Sequence, residues 1–562
     1  MELKKNALKY ALQNAVHFKG KANAGAVIGR IISENPDLKG RIKDVTSAAN
    51  AAVKEVNSLN LDKQVEKLEG LAPELLEKKK AGKRSLAELP NAVKGKVVTR
   101  IPPEPSKYAH IGHAISFMIN YLYAKKYGGK CFVRFEDTNP DFSKQEYVDA
   151  ILEDIKYLGI KPDKVSYASD DLEKIYSNAE KLISGSNAYV CFCSVDKMRD
   201  SRHKGIECGC RSSPAGKNKA NWEKMLKRGF RAGEAVLRLK GDMKSKNSVM
   251  RDPVLCRLSY AKHYKHGGKY AVWPLYDFEN AIEDGIQGIT HVLRSIEFGG
   301  MRVELQERIK SLLNLPKQTI TQYGRFNVTD ALTQGREIRE LIEKKGVSGW
   351  DDPRLVTVRA LERRGIRPET FENLAIEVGL STTPTNIDWS VISSFNRKYL
   401  DASSHRYFFV ENPKEIRIEK APEAKVFLKL HPSYKKASRW FSVNGEFLVS
   451  EKDYHDIMKY RNNEMVRLMD CLNFKASHGK FLFDSQEVEH YRKKGSKIIH
   501  WLPSEGNIEA EVLMPSASAV RGMAESSSAK IKVGEIVQFT RFGFCRLERK
   551  ENGKLYFIYC HD

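Results

Sequence analysis

A chain of 562 residues has room for about four domains at roughly 150 residues each, and its 41% hydrophobic and 9% aromatic content excludes wholesale disorder. A formal charge of +24 points to phosphate-rich partners whose binding weakens with salt, the alternative being a merely solvated basic surface. Apolar runs of a few residues exclude a transmembrane helix, and the first twenty residues set Lys4, Lys5 and Lys9 in a helical pattern without an apolar leader, so a cytoplasmic protein free of membrane is expected.

Ala7, Tyr10, Ala11 and Ala15 recur at helical spacing, and residues 1–75 read as helices. With the basic stretch Lys78–Arg84 they form a helical segment expected over 1–90. From Val97 short apolar strands alternate with helices, the pattern of a parallel α/β sheet, expected over 91–190 and again over 270–325. The segment between, 191–269, carries a cysteine cluster. Residues 326–400 read as helical, and residues 401–562 as short strands forming antiparallel β-barrels. Asn444-Gly445 and Asn552-Gly553 mark hairpins there. The expected fold class is multidomain α/β.

The most informative stretch runs from Val97 to His113. A β-branched strand is followed by Pro102, Pro103 and Pro105, which forbid helix, and a helix then begins near His110. His110 and His113 lie three apart in its first turn, on one face at the positive end of the helix dipole. Neutral imidazoles there donate N–H bonds to a phosphate that gains charge as it is attacked. Gly112 leaves room for a nucleotide against the backbone. No glycine-rich loop carries a lysine, so a P-loop ATPase is not the reading.

Four of the nine cysteines form two Cys-x-Cys pairs, Cys191 with Cys193 and Cys208 with Cys210. Four thiolates close a tetrahedral Zn²⁺ site with no open position, which is structural. His203 is a substitute ligand in the polar loop between the pairs, and free thiols without metal are the alternative.

Residues 110–113 spell the HIGH signature, and with Arg100–Pro105 and Phe132–Pro140 the chain resembles the glutamyl/glutaminyl subgroup of class I aminoacyl-tRNA synthetases. The resemblance continues through Arg251-Asp252-Pro253, Thr290–Ser295, Trp350–Arg354, Val466–Asp470 and Lys497–Trp501, in order along essentially the whole chain. The helical amino-terminal segment and the β-rich tail resemble the archaeal-type glutamyl branch. This likeness implies a class I Rossmann-like catalytic core, an acceptor-stem insertion over 191–269 and an anticodon-binding region over 401–562.

It also implies a two-step reaction with ATP and Mg²⁺, in which an aminoacyl-adenylate forms and tRNA then takes the acyl group. On that carry-over His110, Gly112 and His113 contact ATP, and Glu104, Pro105 and Ser106 help to seat it. For a glutamate substrate, Arg100 and Arg294 would take the two carboxylates, Glu136 the ammonium, and Tyr276 a hydrogen bond. Tyr276 and Arg294 are expected at strand ends of one parallel sheet, where such sheets bind ligands. Arg294 and Asn280 resemble glutamyl rather than glutaminyl enzymes, while pairing of Arg294 with Glu297 is the structural alternative. The partners implied are L-glutamate and tRNA(Glu), with tRNA(Gln) also charged by some of the group, and a monomer is expected.

The likeness breaks at the second class I signature, near KMSKS. The loop reads Ala331-Leu332-Thr333-Gln334-Gly335-Arg336, and a gap-free count from Trp350 puts Gly335 where the catalytic lysine is expected. Arg336 is the nearest cation. Lys107 in turn replaces a glycine common before the HIGH residues. These departures keep a catalytically impaired tRNA-binding relative open beside a glutaminyl-tRNA synthetase. Arg359, Arg363, Arg364 and Arg367 read either as a phosphate-binding helix stripe or as a solvated face.

Overall fold

The computed structural model describes every residue except 1, 19, 76–84, 330–334 and 434–437. The whole basic stretch Lys78–Arg84, and Ala331–Gln334 of the second-signature loop, therefore lie outside the described residues. Two compact units divide the chain, 1–85 and 86–562. In the first, helices α1 (Glu2–His17), α2 (Ala24–Glu34), α3 (Ile42–Asn57) and α4 (Leu61–Leu71) follow one another. Ala7, Tyr10, Ala11 and Ala15 of α1 are buried with Val27, Ile31, Val45, Ala49 and Val56, which bears out the helical spacing. Asn23 and Asn60 cap α2 and α4 by accepting from the backbone of Ala26 and Lys63.

The second unit opens with a βαβαβ run: β1 (Val98–Ile101), α5 (Ile111–Lys126), β2 (Lys130–Phe135), α6 (Gln145–Tyr157) and β3 (Lys164–Tyr167), its strands parallel in the order β1-β2-β3. After α7 (Leu172–Ser184), β4 (Ala188–Cys191), α8 (Val195–Lys204), α9 (Ala215–Leu226), β5 (Val236–Leu239), β6 (Val254–Leu258) and β7 (Val272–Pro274) build an insertion around an antiparallel four-stranded sheet. The parallel texture returns with α10 (Tyr276–Ile286), β8 (His291–Ser295), α11 (Gly299–Leu313) and β9 (Thr319–Tyr323). Beside β8, the Thr290 amide donates to the Val98 carbonyl at 3.0 Å, so β8 flanks β1 on the side away from β2. The strand order thus reverses between β1 and β8, and a ligand crevice forms beyond the carboxyl ends of strands at such a switch point. Helix α5 is apolar nearly all round, from Ile111 to Tyr123, because it is packed against this sheet on one side and α14 (Pro368–Val378) on the other.

Tyr276 does not end a strand of the parallel sheet. Strand β7 closes the antiparallel insertion, and Tyr276 is the first residue of α10. The tail is a more mixed β structure than pure antiparallel barrels. Residues Arg406–Tyr407 and Phe409–Glu411 are successive halves of one strand, and they pair with the two opposite ends of a single sheet order, Ile536–Phe539 and Ala519–Ala524. That ring closes on itself and includes two parallel pairings, Arg406–Tyr407 with Ile536–Phe539 and Ile508–Leu513 with Lys554–His561.

Asn552-Gly553 makes the expected hairpin, with both residues at positive φ. Asn444-Gly445 does not: only Gly445 has positive φ, and the flanking strands pair with different partners. A turn with one left-handed residue splays its strands where the doubly left-handed turn keeps them twisted together.

Candidate active site

At the switch point a cavity of about 540 Å³ is lined by Glu104, Lys107, His110, His113, Arg294 and Arg325, with Gly112 and Gly335 in its wall. His110 is the N-cap of α5 and His113 its third residue. His110 Nδ1 accepts from the Gly112 amide at 3.1 Å, and His113 Nδ1 accepts from the His110 amide at 3.2 Å. Burial, with the charges of Lys107 and Arg325, lowers His110 to about 3. Burial, with His110 and Lys107, lowers His113 well below its ordinary value. Both rings are therefore neutral. With each Nδ1 used as an acceptor, the proton sits on Nε2, so each histidine keeps one N–H donor for a ligand at the positive end of the helix.

Gly112 lines the cavity, but the space a side chain would take there is filled by the His110 ring, whose Cε1 would lie 2.9 Å from an added Cβ. The glycine makes the histidine cap possible; the nearest space is not left for a nucleotide. Glu104 is in the cavity wall, whereas Pro105 and Ser106 are behind it: the Pro105 carbonyl accepts from the Lys144 amide at 3.0 Å, and the Ser106 amide donates to Glu104 at 2.9 Å.

Of the four residues assigned to glutamate, Arg294 lines the cavity, Arg100 and Glu136 belong to a buried layer, and Tyr276 at the start of α10 is half-buried. Arg100 on β1 and Arg134 on β2 share one face of the sheet, because Arg100 is in register with Phe132 and side chains alternate. Asp284 of α10 accepts from Arg100 Nε at 3.1 Å and from Arg134 Nη1 at 2.8 Å. Glu136 accepts from Arg134 Nη2 at 2.9 Å and from Asn280 Nδ2 at 2.7 Å. Burial would raise Asp284, but Arg100 and Arg134 outweigh it and hold the carboxylate at about 2.

The layer therefore holds more charge than the sequence reading counted. Arg134 and Asp284 were missed, and Glu279, Glu283 and Lys310 are buried around them as well. The signal in the sequence was Arg134 itself, an arginine inside the apolar strand Phe132–Phe135. Arg294 Nη1 donates to Gln306 Oε1 at 3.0 Å, and Glu297 pairs with Arg325 at 3.0 Å. Burial pushes the Tyr276 hydroxyl up, and Glu136 adds to this.

The four clustered cysteines come together with their Sγ atoms within 4.8 Å of one another, and Cys191 and Cys208 are 3.9 Å apart. A tetrahedral zinc with Zn–S bonds of 2.3 Å sets its sulfurs roughly 3.8 Å apart, so the donor set fits that ion. Arg238 Nη1 is 3.6 and 3.7 Å from Cys191 and Cys208, a cation beside what would be a negatively charged thiolate cage. Helix α8, between the pairs, buries no residue, in keeping with a segment held by a metal clip rather than a core.

The arginine run does not form a stripe. Helix α13 (Val358–Arg363) ends before Arg364, and Arg367 caps α14. Arg359 pairs with Glu153, Arg363 with Glu548 at 2.6 Å, Arg364 is buried over the Trp389 ring, and Arg367 is 3.6 Å from Glu369. Arg363 and Arg364 tie this segment to the tail through Glu548 and the Cys560 carbonyl, while Arg359 and Arg367 make partly exposed pairs. Phe544 and Cys545 in the tail are buried core, and Arg541 pairs with Asp453 at 2.7 Å. Arg336 is the second residue of α12 (Gly335–Glu343), and its side chain lies outside the described residues.

Residues 96–402 match the catalytic domain of tRNA synthetases class I (E and Q), and residues 404–492 and 498–548 match two anti-codon binding domains of the same group. The chain belongs to this family. It is 41% identical over 576 residues to the glutamate–tRNA ligase of Pyrococcus abyssi and 40% over 579 to that of Pyrococcus furiosus, each match covering 100% of both chains. With the glutamate–tRNA ligase of Methanothermobacter thermautotrophicus it shares 37% over 555 residues, 98% of each chain. As a class I synthetase of this group it has the parallel-sheet catalytic core and the β-rich tail that its motifs implied. Among the described residues no helix is long and apolar enough to cross a membrane.

Proposed function

We propose that this chain attaches L-glutamate to tRNA(Glu) with ATP, through a glutamyl-adenylate, releasing AMP and pyrophosphate. The observation that carries this reading is Arg294 on the same cavity as the Nε2 donors of His110 and His113. The amino-acid end of that cavity carries Arg294 and is backed by a layer of buried ion pairs, and the other end is the positive pole of a helix. The substrate carboxylate attacks the α-phosphate, and no protein nucleophile is needed. Positioning and stabilisation of the charge that develops on the phosphates supply the rate. Mg²⁺ bound with ATP supplies further neutralisation of the triphosphate.

In this reading His110, His113 and Arg336 are the catalytic groups; Glu104, Pro105, Ser106 and Gly112 shape the ATP seat around the two histidines; and Arg294 holds the side-chain carboxylate of glutamate. Arg100 and Glu136 act on the amino-acid end from the layer behind, and Tyr276 from the start of α10. Zn²⁺ held by Cys191, Cys193, Cys208 and Cys210 orders the insertion at 191–269, which meets the acceptor stem. The helical segment over 1–90 supports tRNA, the halves at 91–190 and 270–325 carry the chemistry, 326–400 connects them to the tail, and 401–562 reads the anticodon. The enzyme works as a cytoplasmic monomer, and the assay below decides whether tRNA(Gln) is a second acceptor.

Aminoacylation with glutamate and with glutamine, each on separate transcripts of tRNA(Glu) and tRNA(Gln), tests this. Glutamate on tRNA(Glu) is the expected result, with the tRNA(Gln) arm reporting whether both are charged. Glutamine charging, or salt-sensitive tRNA binding with no acyl transfer, would overturn it in favour of a glutaminyl enzyme or a binding relative.

A further inference from the structure

We propose that Lys107 is a catalytic cation of the adenylation step, standing in the cavity where a lysine at position 335 would otherwise project. The inference rests on the adenylation reading above and adds a residue to it. Lys107 and Gly335 both line the cavity, although 228 positions separate them in the chain. A Cβ added at Gly335 would lie 2.6 Å from Lys107 Cδ, 3.2 Å from its Cβ and 3.4 Å from its Cγ. The two positions thus share one volume. A long side chain at 107 requires the smallest residue at 335, and a side chain at 335 would require Lys107 to withdraw.

The sequence departs from its family at both of these places. A glycine stands where the loop lysine is expected, and a lysine stands where a glycine is common. The shared volume makes these two departures one exchange: the cation has moved from the loop at the start of α12 to the turn that leads into α5.

The surroundings of Lys107 suit that role. Its charge bears on His110, His113 and Glu104, so its ammonium is close to the groups that would meet the triphosphate. Burial is the largest influence on Lys107 and, with Arg339 and Arg325, lowers it from its ordinary value, while Glu104 and Glu297 oppose that shift. Lys107 is half-buried in the wall of an open cavity.

In the step itself a glutamate carboxylate oxygen bonds to the α-phosphorus, and the bond from that phosphorus to the oxygen bridging to the β-phosphate breaks. The electron pair leaves on pyrophosphate, which gains negative charge. A protonated Lys107 neutralises that charge as it forms and gives up no proton.

The test is glutamate- and tRNA-dependent exchange of pyrophosphate into ATP, with tRNA binding measured alongside as a check of the fold. Lys107→Met should lower kcat about 10²- to 10³-fold, the usual cost of removing one group aimed at transition-state charge. Its tRNA affinity and glutamate KM should stay within about twofold of the parent. Lys107→Arg should keep most of the activity. Lys107→Gly combined with Gly335→Lys should recover at least about tenfold over Lys107→Gly alone, because the cation returns through the space vacated. An active parent with Lys107→Met within about threefold of it, or a double variant no better than Lys107→Gly, would overturn the role of Lys107 alone. A parent inactive in both exchange and charging would overturn the reaction itself.

Discussion

Asp284→Asn is the sharpest probe of the buried charge layer, because it preserves shape and removes one charge. The Asp284 carboxylate is held at about 2 against an ordinary 3.8, so its ionised form is favoured by roughly 2 kcal/mol more than it would be in water. Asparagine also takes from Arg100 and Arg134, 1% and 0% exposed, the carboxylate they share, and breaking a buried pair from one side costs about 3–5 kcal/mol. Part of the amide also points N–H groups at guanidiniums that have nothing to accept with. Asp284 lies in the large compact unit 86–562, so this loss lowers Tm by less than the roughly 2–4 °C per kcal/mol of a 150–250-residue domain, about 5 °C in all.

Differential scanning fluorimetry measures the change in Tm, and steady-state charging measures its consequence. Glutamate KM should rise at least about fivefold as Arg100 turns from its Asp284 anchor, while ATP KM stays near the parent value. Arg134→Met should cost less in this background than in the parent, since one of the two carboxylates that hold the guanidinium is already gone. A Tm within about 1 °C of the parent, with glutamate KM unchanged, would refute the claim that Asp284 holds the two arginines in place.

Two further expectations concern metal and pH. Metal analysis of the purified chain should find one zinc per molecule, and Cys208→Ser should lower that content at least about tenfold and raise the tRNA KM more than the glutamate KM; full activity without metal would count against the clip. Because burial lowers His110 to about 3, the folded state binds fewer protons there than an unfolded chain titrating near 6.5. Stability is thus fully present above about pH 6.5 and falls as the pH drops toward 3, by at most about 1.4 kcal/mol per pH unit from this residue. Urea unfolding of the parent and of His110→Gln across pH 7 to 4.5 should give converging midpoints as the pH falls; a constant gap would mean that the ring is already charged in the native state.

What could be read from the sequence and what could not divide along the distance between interacting residues. The strand at Val98, the prolines after it and the histidine cap of α5 are set by neighbours within a few positions, so the catalytic turn was legible as it stands. The cysteine cluster was equally plain, since two Cys-x-Cys pairs leave few other arrangements. At Gly112, which lines the cavity, local reasoning missed that the space a side chain would take is filled by a ring two residues back. Asn444-Gly445 failed for a related reason: the dipeptide permits two turn types, and the strands on either side, drawn to other partners, decided between them.

The arginine run shows how partners distant in sequence change the meaning of a charge. Arg363 is read as an RNA contact until Glu548, 185 positions away, is brought against it. Asp284 lies 150 positions from Arg134 and 184 from Arg100, and no spacing rule links them. Yet burial itself leaves a trace. An arginine at an inward position of a strand can be kept only if some acid comes to meet it, so Arg134 in its apolar strand already required a carboxylate from elsewhere. Helix α10 supplies it: Asn280 and Asp284, one turn apart on the same face, reach both arginines. The same reasoning runs in reverse at Gly335. Its empty side is an allowance made for a lysine far back in the chain, and the glycine gains its meaning only once both positions line one cavity.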